Sequence, residues 1–291
     1  MQNILVPTDF SAASRHAYLV ALQLAGATNG NVVLLHVVAP PKLRLSAPGP
    51  ENDFSDGDEA PRAGATVSPQ LLEAARHRME AFQQEVPSSD TNVSVAGEVV
   101  GSRVGEGILQ AIERHGSHLV VMGAHGHSAV RRLFLGSNTE RLIRLSHCPV
   151  LTVKNELQGE FSVRTILFPS DFNQELPIGS GGLRQVQAAF PEAALHLLHV
   201  RKKTKRRLAP PPIQAFAERA CLHNVHVAII QASSPAEGIA QYAKRIGADL
   251  VVIPTHARTG LSSFLQTSIA ETVATHALPP VLTYHLANLH H

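Results

Sequence analysis

Short runs of β-branched and aliphatic residues alternate along this chain with stretches whose apolar positions recur every three to four residues. The first pattern predicts strands buried in a sheet and the second predicts amphipathic helices, so the chain reads as βα units around a parallel sheet. In the first half the strands fall at about 3–8, 31–38, 93–99, 118–123 and 149–153. Parallel neighbours need crossovers, and the intervening segments supply them. Ala12 to Ala27 carries helical spacing through Ala17, Val20, Ala21, Leu24 and Ala25. Ser68-Pro69 sets a capping residue before a proline at the first helical position, which predicts a helix to about Val86. Glu106 to Arg114 and Thr139 to Leu145 make two more.

The pattern then begins again, with strands near 164–169, 193–200, 225–231, 249–253 and 280–284. The residues repeat along with the pattern. Ile4-Leu5-Val6-Pro7-Thr8-Asp9-Phe10 returns as Ile166-Leu167-Phe168-Pro169-Ser170-Asp171-Phe172, and Leu34-Leu35-His36-Val37 as Leu197-Leu198-His199-Val200. His118 to Met122 corresponds to Asp249 to Ile253, and Pro149-Val150-Leu151-Thr152 to Pro280-Val281-Leu282-Thr283. Matches kept in one order mean two copies of one domain, at 1–154 and 163–287, joined by a polar linker.

Composition agrees with this reading. A chain of 291 residues with 44% apolar and 16% charged side chains suits two compact domains rather than a disordered protein. No apolar run reaches the roughly 20 residues of a membrane helix, and the N-terminal residues lack a signal-peptide layout. Cys148 and Cys221 are the only cysteines, which rules out a disulfide scaffold and points to a reducing cytoplasm. A net charge of +2 gives no general attraction for nucleic acid.

Two segments carry local charge. Between Pro40 and Pro69 lies an acidic stretch rich in Pro, Gly and Ser, read as a solvated loop or a lid over the neighbouring site. Arg201 to Arg207 holds six cations in seven residues, read as an exposed loop or an anion contact. It has no interleaved aromatics, so specific nucleic-acid recognition is not expected.

The sharpest motif is Gly123-Ala124-His125-Gly126, followed after nine residues by Gly136-Ser137-Asn138. It starts where the fourth strand ends and finishes where a helix begins. Glycines there allow positive φ and close approach of a ligand. A helix N-terminus offers amides and a dipole to an anion, and Ser137 adds a hydroxyl that can cap the helix or donate to phosphate. If the first and fourth strands are neighbours, Asp9 faces this loop across one crevice, where its carboxylate can accept from ribose hydroxyls or an adenine amine. The competing role for Asp9 is a helix cap, with Ser11 as its rival. No Gly-Lys-Ser/Thr and no G-x-G-x-x-G after the first strand occurs. His125 and His127 lack a third metal ligand, His36 and His199 read as packed core histidines, and Cys148 as a small buried side chain. No nucleophile–base–acid set is visible, so no catalytic or metal residues are assigned.

The Val-Pro-Thr-Asp-Phe run, the Leu-Leu-His-Val run and the G-x2-G-x9-G-Ser motif resemble the universal stress protein family in its tandem two-domain form. The resemblance covers essentially the whole chain. It implies an α/β fold of two similar five-stranded parallel sheets, order 3-2-1-4-5, flanked by helices, of the HUP-like, adenine nucleotide alpha hydrolase-like type. It also implies ATP binding in the first domain. Pro7, Thr8, Asp9 and Val37 would line the adenosine side and Met122 and Gly123 the ribose. Gly126, His127, Gly136, Ser137 and Asn138 would hold the phosphates, and Mg²⁺ would be held largely through them. Asn138 replaces a residue often apolar in the family, and His127 stands where the family often has Arg or Lys, which makes that contact pH-sensitive.

Aligned on the second copy, Gly123 becomes Pro254, Gly126 becomes Ala257 and Gly136 becomes Thr267, while Ser137 survives as Ser268. Proline removes an N–H, and Ala and Thr resist positive φ, so phosphate binding is expected only in the first copy. The resemblance implies a cytoplasmic stress-response regulator whose partner is an adenine nucleotide, with its final strands paired as an internal pseudo-dimer and a homodimer left open. Slow ATP hydrolysis or phosphate transfer onto Ser137, and a nucleotide-free interaction module, are the alternatives.

Overall fold

The computed structural model describes residues 3–40, 67–85, 93–124, 136–154, 160–172, 180–202, 212–255, 273 and 279–285. The first half runs β1 (Asn3–Pro7), α1 (Ala12–Thr28), β2 (Asn31–Val38), α2 (Pro69–Glu85), β3 (Ser94–Gly101), α3 (Val104–Arg114), β4 (Leu119–Gly123), α4 (Ser137–Leu145) and β5 (Val150–Val153). The second runs β6 (Thr165–Pro169), α5 (Ser180–Ala189), β7 (Ala194–Lys202), α6 (Ile213–Arg219), β8 (Val225–Ala232), α7 (Pro235–Ile246), β9 (Leu250–Thr255) and β10 (Val281–His285). Every predicted strand is present. Two helices start earlier than the apolar spacing alone suggests, α3 at Val104 and α4 at Ser137, because a first turn is defined by backbone hydrogen bonds and not by buried side chains.

Each half has the expected order, and the two sheets join into one of ten strands, β3-β2-β1-β4-β5-β10-β9-β6-β7-β8. All neighbours within a half are parallel. The join is antiparallel, with Thr152, Leu151 and Val150 of β5 opposite Val281, Leu282 and Thr283 of β10. The Thr283 hydroxyl donates to the Val150 carbonyl at 3.3 Å across it.

The inner strands are unbroken apolar runs because helices cover both faces of the sheet. Ile4, Leu5 and Val6 are fully buried although they alternate between faces. On one face a single core continues through both halves, from Val6, Val121 and Val153 to Phe168, Leu282 and Tyr284. On the other face there are two cores, one around Leu5, Leu35, Val37, Ile108 and Met122, the other around Leu167, Leu198, Ile239 and Val251, which Ala124 and Ile143 of the first half also join. Among the described residues no helix is long and apolar enough to cross a membrane. The acidic insertion from residue 41 to 66, the basic run from Lys203, linker residues 155–159 and the glycine-loop residues His125 to Leu135 lie outside the described residues.

Candidate functional site

β1 pairs with β4 (Ile4 with Leu119, Leu5 with Val120), while the chain winds from β1 to β2 on one side and from β4 to β5 on the other. A crevice opens at the carboxyl ends of strands where winding reverses. Asp9 and Gly123 leave the sheet at that end, on its two sides.

The β1 side is a tightly bonded turn. Buried Thr8 donates its N–H to the Leu35 carbonyl at 2.8 Å. Its hydroxyl donates to Ser14 Oγ at 3.0 Å and accepts the Phe10 N–H at 3.0 Å. Phe10 takes the left-handed region, φ 62°. Of the two rival caps, Ser11 performs the role, accepting the Ser14 N–H at 3.2 Å. Asp9 instead accepts the Ser11 N–H at 3.0 Å, which fixes the carboxylate half-buried at the rim.

His36 is a packed, hydrogen-bonded histidine, as its sequence context suggests. Its Nδ1 lies 2.7 Å from the Thr8 carbonyl, so the proton of the neutral ring sits on Nδ1. Phe10 stacks on it at 4.4 Å, and Arg78 lies 4.7 Å above the Phe10 ring. Burial pushes the His36 imidazole below its ordinary value; the Thr8 carbonyl opposes this, Arg78 adds to it and Asp9 opposes it.

Val37 spends its side chain on packing: a Cβ at Gly107 would come within 3.0 Å of it, so glycine is what lets α3 approach β2. Its backbone is differently placed. Strand groups alternate between edges, and the Leu35 carbonyl faces β1, so the N–H and C=O of Val37 face the same edge just past the end of β1.

On the β4 side the two described glycines serve different ends, and neither needs positive φ. Among the described residues only Gly116 and Gly247 are glycines of that kind. At Gly123 a Cβ would sit 2.9 Å from the backbone of Ala13, so the first turn of α1 rests directly on the end of β4. Gly136 has φ −68° and ψ 143°, which any residue adopts, and among the described residues a Cβ there would meet nothing nearer than the Ala124 carbonyl at 3.6 Å. Neither its backbone angles nor its described neighbours require glycine at 136.

Gly136, not Ser137, is the N-cap of α4, and among the described residues no side chain caps the helix. Ser137 is the first helical residue, because the Gly136 carbonyl already accepts the Glu140 N–H at 3.0 Å. Ser137 and Asn138 are exposed there. The uncapped first-turn amides and the positive end of the helix dipole suit an anion. Buried Met122 packs below with Leu5 and Val37.

Gly126 and His127, with His125, lie outside the described residues. Sequence reasoning missed two cations nearby. The Arg141 stem lies over Gly105, where a Cβ would be 2.7 Å from Cδ, and Arg141 shares a face of α4 with Ser137 by its spacing of four. Lys154 follows β5 directly, and burial pushes its ammonium down to about 8. The spacing could have identified Arg141; nothing in the sequence marks Lys154. Among the described residues no cluster of three metal-ligating side chains occurs.

The second half repeats the frame but differs at the fourth and fifth strand ends. The Ser170 N–H bonds the Leu198 carbonyl at 3.0 Å, Phe172 has φ 54°, and His199 Nδ1 lies 3.1 Å from the Ser170 carbonyl. Gly238 lies against Val200 as Gly107 does against Val37. Pro254, however, is a buried member of β9, and its neighbour across the ladder is Tyr284. The ring of Tyr284 lies against α5, 2.7 Å from where a Gly182 Cβ would be. Burial pushes the Tyr284 hydroxyl well above its ordinary value. Ala257, Thr267 and Ser268 lie outside the described residues.

Comparison with known proteins agrees with this architecture. A family model described as the universal stress protein family matches residues 1–154 and again 182–285. The chain is 28% identical over 304 residues to a universal stress protein of Mycolicibacterium smegmatis, across 96% of this chain and 95% of that protein. It is 27% identical over 163 residues to universal stress protein MJ0577 of Methanocaldococcus jannaschii, across 53% of this chain and 96% of that one. A solved universal stress protein from Archaeoglobus fulgidus shares the fold at TM-score 0.70 and 18% identity, across 98% of both chains. Two family matches covering both halves of a repeated α/β fold lead to one conclusion: the chain belongs to the universal stress protein family.

Proposed function

We propose that the first half binds ATP in the crevice between β1 and β4, that the second half does not, and that occupancy of this one site is the regulatory signal of a cytoplasmic stress-response protein. The reading rests chiefly on Gly136: it begins a helix that no described side chain caps, and no described residue comes nearer than 3.6 Å to where its Cβ would lie. A triphosphate would lie along the Gly136–Asn138 amides, with Gly126 and His127 completing the loop and Mg²⁺ held mainly by the phosphates. The Val37 backbone would meet the adenine edge, and Asp9 would accept from ribose hydroxyls, with Pro7, Thr8, Met122 and Gly123 forming the wall.

Binding with micromolar affinity supplies about 8 kcal/mol, enough to shift loop populations where two arrangements differ in affinity. The second half, joined through β10 as the other member of an internal pseudo-dimer, supplies structure. Calorimetric titration tests this reading with wild type and Gly136→Ala. One ATP site per chain is expected, with affinity at least tenfold weaker in the variant and an unchanged thermal midpoint. No binding, two equivalent sites, or equal affinity in the variant overturns the reading.

A further inference from the structure

The residue that joins the two ends of the glycine loop is hydrogen-bonded in its own half and clusters with apolar side chains of the other. Ala124 is fully buried and bonded on both sides: its N–H donates to the Val153 carbonyl at 2.9 Å, and its carbonyl accepts the Gly136 N–H at 2.9 Å. The Thr139 hydroxyl adds a bond to the Gly123 carbonyl at 3.3 Å. Where Ala124 sits therefore fixes where α4 begins. Its side chain does not join the core of Leu5, Met122 and Leu142 in its own half. With Ile143 it belongs to the apolar cluster of the second half, together with Val251, Ile253, Val273 and Val281. Leu142 and Ile143 are consecutive in α4, yet one packs in each core. The start of α4 is thus set partly by a half that has lost the glycine motif.

We propose that the second half positions the phosphate-facing end of the nucleotide site, with Val273 and Ile143 as positioning residues acting through Ala124 and α4. The inference rests on the ATP reading above. Close packing transmits a lost methyl group into a displacement of its neighbours. A shift of Gly136 and Ser137 away from the crevice weakens contacts to phosphates and leaves adenosine contacts at Asp9 and Val37 unchanged.

The test measures ATP and adenosine affinities for four folded proteins: wild type, Val273→Ala, Ile143→Val and, as a control in the same cluster, Ile239→Ala. The expected result is a fivefold or greater loss of ATP affinity in Val273→Ala, a smaller loss in Ile143→Val, and adenosine affinity within twofold of wild type in both. Ile239→Ala should lower thermal stability without this selectivity. Parallel loss of ATP and adenosine, no loss of either, or the same selectivity in Ile239→Ala overturns the proposal while leaving the ATP reading intact. Wild type that binds neither ligand overturns the ATP reading itself. Should Val273→Ala fail to fold, Ile143→Val alone decides.

Discussion

The two halves build the same frame and finish it differently. In both, a hydroxyl residue ends the first strand, a phenylalanine takes positive φ, a histidine lies against the preceding carbonyl, and a helical glycine meets a valine. They part at the fourth and fifth strands. In the first half Gly123 lets α1 rest on β4, and small Val153 ends β5. In the second, proline occupies the first of these positions and buried Tyr284 the second, with α5 beginning at Ser180. The frame persists because strand ends and helix approaches are fixed by the core in either half. The strand ends at Gly123 and Pro254 differ in what they meet, the backbone of Ala13 in the first half and Tyr284 across the ladder in the second.

Four changes break or sharpen this contrast. The largest effect is expected from Tyr284→Ala, which empties a buried aromatic site and should cost about 3–5 kcal/mol in urea unfolding, with a smaller loss for Val153→Ala. Equal losses would mean that Tyr284 contributes no more to its core than Val153 does to its own. Next is Gly123→Ala. Its Cβ would meet the backbone of Ala13, which cannot rotate away, so a cost of about 1–3 kcal/mol is expected along with weaker ATP binding. An unchanged melting temperature would show that α1 yields there. Gly136→Ala comes third: a tenfold affinity loss, about 1.4 kcal/mol, should appear in binding and not in stability.

The smallest effect concerns pH. His36 titrates at its ordinary 6.5 in the unfolded chain and lower in the fold, so the unfolded chain binds more protons between the two values. Stability should therefore fall as pH drops through 6.5 toward the folded value and level off below it. His36→Asn, which can still donate to Thr8, should show a flatter pH profile in urea unfolding; an identical profile would remove His36 as the source.

The positions of the candidate residues were legible in part. Asp9, Gly123 and Gly136 were placed at strand ends and a helix start because these leave marks in hydrophobic spacing, whereas Val37 came from the family resemblance. The reasons behind two of the glycines were not legible. Positive φ and close packing both select glycine, and only the position of Ala13 against Gly123 separates them. The capping of α4 was misassigned to Ser137 for a similar reason: serine is a common cap, and the backbone bond that makes Gly136 the cap cannot be seen in a sequence. Spacing alone puts Arg141 on a face of α4 with Ser137, but that its stem lies over Gly105, 36 positions away in the chain, only the structure shows.

The sequence alone determined the repeat, the strands of each half and the loss of the glycine motif from the second copy, since these follow from local periodicity and from matching one copy against the other; the strand order came only from the family resemblance. Tertiary structure decided that the halves fuse through β5 and β10, and that Ala124 and Ile143 of one half pack in the core of the other. Contacts between residues more than a hundred positions apart depend on which sheet edges meet. No local pattern of apolar and polar residues encodes that choice.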